Sequence, residues 1–305
     1  MVTLSSIGGV AMLSQLSYKA QKRIIIVTFL IIPLALLFTF SYLPLFNMLR
    51  YSFNEWNGYS KTMRYLGFQN YAELFTRPEL FSVFKVSLYY FGASFVQIGL
   101  ALFFATILSF KTKAKNFFKG VLFFPYLMNG VAISFIFLYF FRPDGTLDSL
   151  LKLLGAGDVI QLWLRNPNII NFSLASVSIW RYMGYAFILF LGSIQSVPSE
   201  NYEAAEIDGA NKWQQFRFII FPSIIKIVEL NLILAISGSI SVFEIPYIMT
   251  HGGNGSMTFV VQTVDMAFKN QKFGLASAMA TVLLLIVIII TLIQKQLFKG
   301  KEARA

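Results

Sequence analysis

The sequence contains no cysteine and a single histidine, His251, among its 305 residues. Without cysteine the chain cannot form disulfides, thiolate metal sites or a thiol nucleophile, and one histidine cannot build a multi-histidine metal centre. The sequence also lacks the pattern G-x-x-x-x-G-K-[S/T], the loop that cradles nucleotide phosphates ahead of a lysine. These absences argue against a soluble metalloenzyme, a thiol enzyme and an ATPase.

Charged residues are scarce, at 13% of the chain, whereas 56% of the residues are hydrophobic. A soluble domain carries about 25% charged residues, so this chain has too little charge to cover a water-exposed globule of its size. Lysine and arginine outnumber aspartate and glutamate by 25 to 14. In a soluble protein this excess would suggest a nucleic-acid partner, but in a membrane protein it accumulates in cytoplasmic loops. The composition favours an integral membrane protein whose partner is membrane lipid and not nucleic acid.

Six apolar segments reach the length of about 20 residues that a membrane-crossing helix needs. They comprise residues 24–49, 82–110, 117–141, 169–197, 218–243 and 275–298. The first is too long for the apolar region of a secretory signal and no small-residue cleavage site follows it, so we expect it to be retained. The prediction is an all-α integral membrane protein with one six-span domain over residues 24–298, between cytoplasmic tails at 1–23 and 299–305.

Lysine and arginine mark the cytoplasmic side of such a protein. They dominate both tails and the connection between spans two and three, which contains Lys111, Lys113, Lys115 and Lys119 without an acid. Both termini are therefore predicted to be cytoplasmic. Before the second span, residues 68–80 are expected to form a short amphipathic helix on the external surface.

The connection between spans four and five, residues 198–217, departs from this basic bias. It carries four acids, Glu200, Glu203, Glu206 and Asp208, against two bases, Lys212 and Arg217. Pro198 and the early glutamates are typical of a helix start, and Asp208-Gly209 is a turn signal. The segment is predicted to form two short helices in a cytoplasmic projection, through which a partner could move spans four and five together. The alternative is an ordinary solvated connection.

This connection resembles the EAA loop of ABC importer permeases. The residues that carry the resemblance are Glu203, Ala204, Ala205, Asp208, Gly209, Ala210, Phe216, Ile219 and Pro222. Residues 66–71, 117–125, 250–253 and 273–278 resemble, in order and spacing, segments of the carbohydrate-uptake branch, the maltose- and glycerol-3-phosphate-type permeases. Two positions depart from that branch: the proline usual after the paired glycines is missing near Gly255, and a second proline after Pro222 is replaced near Lys226.

The resemblance implies the type I ABC importer permease fold, with coupling helices between spans four and five that dock on a cytoplasmic ATPase. ATP and Mg would be bound by two separate ATPase subunits, so no cofactor is expected on this chain. A second six-span permease, expected to be a different chain, would complete the path, and an extracytoplasmic binding protein would deliver the solute. The expected location is the bacterial plasma membrane.

Polar and aromatic residues within the spans indicate where a solute could pass. Charges inside a span usually face the bundle interior or water, and sugars need aromatic faces beside hydrogen-bonding groups. The candidates are Tyr126, Asn129, Trp180, Arg181, Tyr182, Tyr185, Ser241 and Glu244. The resemblance places Tyr126, Trp180, Tyr185 and Ser241 at sugar-pocket positions. Membrane-interface anchoring and helix packing are the structural alternatives, and Arg181 would suit a charged solute.

The predicted function is a permease subunit, not itself an enzyme, of an importer that moves a sugar or oligosaccharide inward by alternating access. One alternative is the same importer class with a charged solute such as glycerol-3-phosphate or an acidic sugar. Two others are an ion-coupled carrier, which would need inverted repeats, and a membrane-embedded enzyme, which would need a catalytic pair within a span. The sequence shows neither repeats nor such a pair.

Overall fold

The structure, a computed structural model, describes residues 17–110 and 115–302, with side chains described as far as residue 298. Lys111 and Lys113 of the predicted basic connection, and most of both predicted tails, lie outside the described residues. The helices are α1 (Tyr18–Leu37), α2 (Leu43–Ser52), α3 (Gln69–Thr76), α4 (Pro78–Ser82), α5 (Phe84–Ser109), α6 (Lys115–Leu127), α7 (Gly130–Phe141), α8 (Thr146–Leu153), α9 (Ile170–Gln195), α10 (Ser199–Ile207), α11 (Lys212–Gln215), α12 (Phe221–Ser223), α13 (Ile225–Ile240), α14 (Glu244–Thr250), α15 (Phe259–Val264) and α16 (Phe273–Glu302).

Shorter elements connect some of these helices. Three π-helical segments, Phe38–Tyr42, Phe216–Ile220 and Asp265–Lys269, and a 3-10 turn, Gly157–Val159, complete the helical structure. Strands β1 (Asn54–Glu55) and β2 (Arg64–Tyr65) form a small antiparallel hairpin. The predicted helix at residues 68–80 is interrupted: α3 ends before Arg77 and α4 begins at Pro78, because the residue before a proline is driven out of helical geometry.

Five helical segments of the described chain are long and apolar enough to cross a membrane. They are Tyr18–Ser52, Pro78–Ser109, Ile170–Gln195, Ile225–Thr250 and Phe273–Phe298. A sixth span exists only if α6 and α7 are counted together, and these two helices meet at a bend of 98°. The structure therefore supports a helical membrane protein of five or six spans, in which the segment predicted as the third span, residues 117–141, is divided between α6 and α7.

The break between α6 and α7 has a local cause in the sequence. Pro125 lies in the last turn of α6 and has no N–H to continue the helical hydrogen bonds. Asn129 then caps α7, because its side-chain oxygen accepts the backbone N–H of Val131 at 2.8 Å. The chain ends one helix and starts another within three residues, in a new direction.

The predicted fifth span, residues 218–243, is also displaced along the chain. Its entry contains the π-helical segment and Pro222, and the regular helix α13 begins only at Ile225. At the other end the helix breaks around Ser241 but resumes as α14 and continues to Thr250. Ile245 and Met249 of α14 are buried, so the burial of apolar side chains extends this segment beyond its predicted limit.

Helix α9 lies at the centre of the bundle and packs against α5, α6, α13 and α14. Its crossing with α5 is close because small side chains, among them Ala101, Ala105 and Ala186, are fully buried there. Phe187 and Phe190 of α9 fill the adjacent core with no exposed surface. This packing fixes α9 as the scaffold on which the neighbouring helices place their polar residues.

The segment between α7 and α9 is held together by one buried carboxylate. Asp148 is 3% exposed. Its Oδ1 accepts the indole N–H of Trp163 and its Oδ2 accepts the backbone N–H of Asp144, both at 2.8 Å. Hydrogen bonds to an ionised carboxylate are stronger than those between neutral groups, so Asp148 ties both ends of this segment to α8.

Replacing Asp148 by alanine is expected to destabilise the protein by about 1–3 kcal/mol, because it leaves two part-buried donors without an acceptor. The measurement is the midpoint of heat unfolding in detergent, which should fall. Asp158→Ala is the matched control, since Asp158 is exposed in the nearby 3-10 turn. Equal midpoints for the two variants would contradict the role given to Asp148.

Candidate functional site

A cavity of about 600 Å³ lies between α5, α6, α9, α13 and α14. Six of the eight residues predicted for a solute path line it: Tyr126, Arg181, Tyr182, Tyr185, Ser241 and Glu244. Its volume is within the roughly 300–1,000 Å³ typical of small-molecule sites. The structure thus brings together residues that are separated by more than a hundred positions in the sequence.

Aromatic rings form one wall of the cavity. The ring centroid of Tyr126 on α6 lies 4.9 Å from that of Tyr185 on α9, with 31° between the planes, and 6.4 Å from that of Tyr182. The two helices can approach this closely because Gly184 faces the backbone of α6, where any Cβ would overlap the carbonyl oxygen of Leu122. The aromatic wall therefore depends on the close contact of Gly184 with Leu122, which lies one helical turn before Tyr126.

An ion pair joins two further helices at the cavity. Arg181 Nη1 on α9 donates to Glu244 Oε2 on α14 at 2.5 Å, and the guanidinium carbon of Arg181 lies 5.0 Å from the ring centroid of Tyr182. Gly130, the first residue of α7, lies directly against this pair, and a Cβ there would overlap both charged groups. Three helices thus meet at one ion pair.

Two predicted path residues are placed elsewhere. Asn129 is the N-cap of α7, a structural role. Trp180 packs its ring against Phe137 of α7, with centroids 5.2 Å apart, and does not line the cavity. Helix packing was one of the structural alternatives for these residues, and it describes the contact of Trp180; the capping role of Asn129 was not predicted.

Sequence reasoning missed the contribution of α5 and of the middle of α13. Tyr90, Ser94 and Gln97 of α5 and Asn231 and Ser239 of α13 also line the cavity. The spacing of Tyr90, Ser94 and Gln97 places them on one face of a helix, which was a usable signal in an otherwise apolar span. Among the described residues, no group of three or more histidine or acidic side chains could hold a metal ion.

The acidic connection between α9 and α13 forms a second candidate site. Helix α10 ends at Ile207 and α11 begins at Lys212, with Gly209 between them at φ +76°. Asn211 and Gln214 form a capping box: the Asn211 side chain accepts the N–H of Gln214 at 2.9 Å, and the Gln214 side chain accepts that of Asn211 at 2.7 Å. The two short helices and the turn at Asp208-Gly209 are as predicted.

The residues of the EAA-like segment divide between surface and core. Glu203, Ala204, Asp208, Gly209 and Pro222 are exposed, and Ala205, Ala210 and Phe216 are half-buried. Phe216 and Tyr202 pack against the core cluster that contains Ile194 of α9 and Ile224 ahead of α13. Burial raises the pKa of the Tyr202 phenol above its usual value, so this anchoring side chain stays neutral.

The outer surface of the same segment carries apolar side chains that no sequence pattern had singled out. Ile207 is 87% exposed, Phe218 74% and Trp213 69%. Lys212 Nζ donates to Glu206 Oε1 at 2.6 Å, which holds α11 against α10. A rigid two-helix projection with exposed apolar groups at its turn is suited to contact with another protein.

Residues 97–302 match the family described as "Binding-protein-dependent transport system inner membrane component". The chain is 34% identical over 289 residues to the probable ABC transporter permease protein YurN of Bacillus subtilis (strain 168), covering 92% of this chain and 99% of the relative. It is 32% identical over 278 residues to the multiple sugar-binding transport system permease protein MsmF of Streptococcus mutans, covering 90% of this chain and 95% of that one.

The fold is also similar to a solved structure. The crystal structure of a bacterial ABC transporter involved in the import of the acidic polysaccharide alginate aligns with a TM-score of 0.79. The alignment covers 93% of this chain and 98% of the other, at 18% sequence identity. At that identity the likeness concerns the fold alone.

Proposed function

Because the chain belongs to the family of binding-protein-dependent transport system inner membrane components, we propose that it forms one half of the membrane path of an ATP-driven importer. It passes a sugar or oligosaccharide into the cytoplasm by alternating access. Relatives named for multiple sugars, starch degradation products and arabinooligosaccharides are 29–32% identical to it. The chain is a transport subunit of the sugar type, and ATP is hydrolysed on separate subunits.

The cavity beside α9 carries this proposal. Tyr126, Tyr182 and Tyr185 offer aromatic faces, and Gln97 and Ser241 add an amide and a hydroxyl. A sugar ring has apolar faces and hydroxylated edges, so it needs this combination of surfaces. In the assembled importer a second, different permease subunit would close the remaining side of the cavity.

The projection formed by α10 and α11 transmits the motion. ATP-driven closure of an ATPase dimer would move this projection, and its packing through Tyr202 and Phe216 onto the core beside α9 and α13 carries the movement to the helices that line the cavity. The exposed side chains of Ile207 and Trp213 provide apolar contact with the ATPase. In this proposal the projection and both termini lie in the cytoplasm, and the chain lies in the bacterial plasma membrane.

The assembly is tested by purifying the protein from its native membrane and identifying what accompanies it. We expect an ATPase, a second permease and, in the presence of solute, an extracytoplasmic solute-binding protein. Recovery of the chain without an ATPase and without a second permease would contradict the proposal and favour a stand-alone carrier.

Replacing Tyr185 by alanine is expected to lower sugar-stimulated ATPase activity of the assembled complex by about tenfold, the change that ~1.4 kcal/mol of lost binding produces. The physical reason is the loss of an aromatic face that contacts the sugar and supports Tyr126. Tyr139→Ala is the control, because Tyr139 is 58% exposed and does not line the cavity. Equal stimulation in both variants would contradict a sugar site at this wall.

A further inference from the structure

We propose that the cavity selects uncharged carbohydrate over acidic carbohydrate, and that Glu244 is the residue that sets this selectivity by cancelling the charge of Arg181. The inference rests on the proposed function, since it concerns the solute of the same cavity. It decides between the neutral and charged solutes that the sequence left open.

The lining of the cavity carries no net charge. Among the described residues that line it, Arg181 is the one base and Glu244 the one acid, and the others are aromatic, hydroxyl, amide or apolar side chains. The one cation that the described part of this chain offers to an anionic sugar, Arg181, is therefore already neutralised by Glu244. Transfer of a carboxylate from water into such a site is unfavourable unless a cation compensates for the lost hydration.

Arg181 is not available to a solute because the fold commits it to Glu244. Its side chain is 13% exposed, whereas that of Glu244 is 46% exposed, so the acid is the more accessible member of the pair. The Nε atom of Arg181 is buried, without a hydrogen-bond partner among the described residues and out of reach of a solute, and one face of the guanidinium is occupied by the Tyr182 ring. A carboxylate that approaches the pair meets Glu244 first and is repelled by its like charge.

Packing around the pair keeps the two groups together. Gly130 leaves room for both charged groups against the start of α7, so the pair is packed where α7, α9 and α14 meet and Arg181 faces the cavity already bound to Glu244. The polar groups that remain accessible are uncharged: Tyr126 and Tyr182 are more than a third exposed, and Ser241 is exposed. Phenol and hydroxyl groups can donate to and accept from sugar hydroxyls.

The test is equilibrium binding of a matched pair of radiolabelled oligosaccharides to the purified complex of this chain with its second permease and ATPase subunits. The probes are a gluco-oligosaccharide and the glucuronate oligosaccharide of the same length, and the solute-binding protein is omitted so that its own selectivity does not contribute. We expect the wild-type complex to bind the neutral probe at least about tenfold more tightly, a difference of ~1.4 kcal/mol.

Two single substitutions should move this preference in opposite directions. Glu244→Gln frees the charge of Arg181, and the neutral-to-acidic ratio should fall by about tenfold. Arg181→Gln leaves Glu244 uncompensated, and the ratio should rise. A general structural defect would weaken binding of both probes and leave the neutral-to-acidic ratio unchanged. Each variant therefore tests the inference by itself, even if the other fails to assemble.

Glu55→Gln is the matched control, because it removes the same type of charge from an exposed pair with Arg64 on the β-hairpin; its ratio should equal that of the wild type. Tighter wild-type binding of the acidic probe, or ratios that do not respond to Glu244→Gln and Arg181→Gln, would overturn the inference and leave the proposed function standing. Failure of the wild-type complex to bind either probe would contradict the proposed function itself.

Discussion

Replacing Gly209 by valine is expected to abolish solute uptake while the assembled importer still reaches the membrane and hydrolyses ATP. Gly209 has φ +76° in the turn between α10 and α11. An L-residue in this conformation costs about 1–2 kcal/mol, and a β-branched side chain is among the least tolerated there. The turn would therefore relax to another conformation, and α11 would leave its position beside α10.

The consequence is functional because the proposed coupling needs a rigid projection. The Asn211 capping box fixes the start of α11, and the Lys212–Glu206 ion pair joins α11 to α10. Once the turn opens, closure of the ATPase no longer moves the helices that line the cavity. Uptake of labelled sugar into proteoliposomes should fall to background, while ATP hydrolysis continues without dependence on solute.

Gly155→Val is the matched control for strain. Gly155 has φ +73° and lies between α8 and the 3-10 turn; at this position, as at Gly209, an added Cβ would meet no other group within 4 Å. The two variants therefore carry similar backbone strain in different parts of the molecule, and Gly155→Val should retain uptake.

Glu203→Ala, at an exposed position of α10, should behave as Gly209→Val does. Normal uptake by both Gly209→Val and Glu203→Ala would refute the coupling role of this segment.

The projection could be predicted from the sequence because its determinants are local. Pro198 and the early acids start α10, Asp208-Gly209 makes the turn, and the capping box needs only Asn211 and Gln214. All of these signals lie within a few residues of the structure they produce. The packing of Phe216 and Tyr202 into the core was not readable in the same way, since it depends on contact with helices α9 and α13.

The cavity shows the opposite case. Arg181 and Glu244 were recognised separately as charges within spans, but they are 63 residues apart and no local pattern indicates that they pair. Pro125 and the Asn129 cap explain locally why α6 ends and α7 begins, but no local pattern gives the 98° angle between the two helices. Sequence periodicity identifies which residues share a helix face, and tertiary packing decides which faces meet.

This packing leaves no room for a side chain at Gly184, and Gly184→Ala is expected to disrupt both the cavity and the stability of the bundle. Its Cβ would overlap the carbonyl oxygen of Leu122 and would lie 2.9 Å from the Cα of Phe123. Both are backbone atoms, so no side-chain rotation can relieve the overlap. Helices α6 and α9 would have to separate, at a cost of about 1–3 kcal/mol for an overpacked contact.

The separation of α6 and α9 has a specific effect on the aromatic wall, because Tyr126 and Tyr185 belong to these two helices and lie 4.9 Å apart. Gly184→Ala should therefore lower the midpoint of heat unfolding in detergent and reduce sugar-stimulated ATPase activity by more than the loss of Tyr185 alone. Gly192→Ala makes the same change two turns along α9, where a Cβ meets no group within 4 Å, and alanine is the better helix former. That variant should be at least as stable as the wild type. If Gly184→Ala matched it in both measurements, close contact of α6 and α9 would not be what forms the cavity.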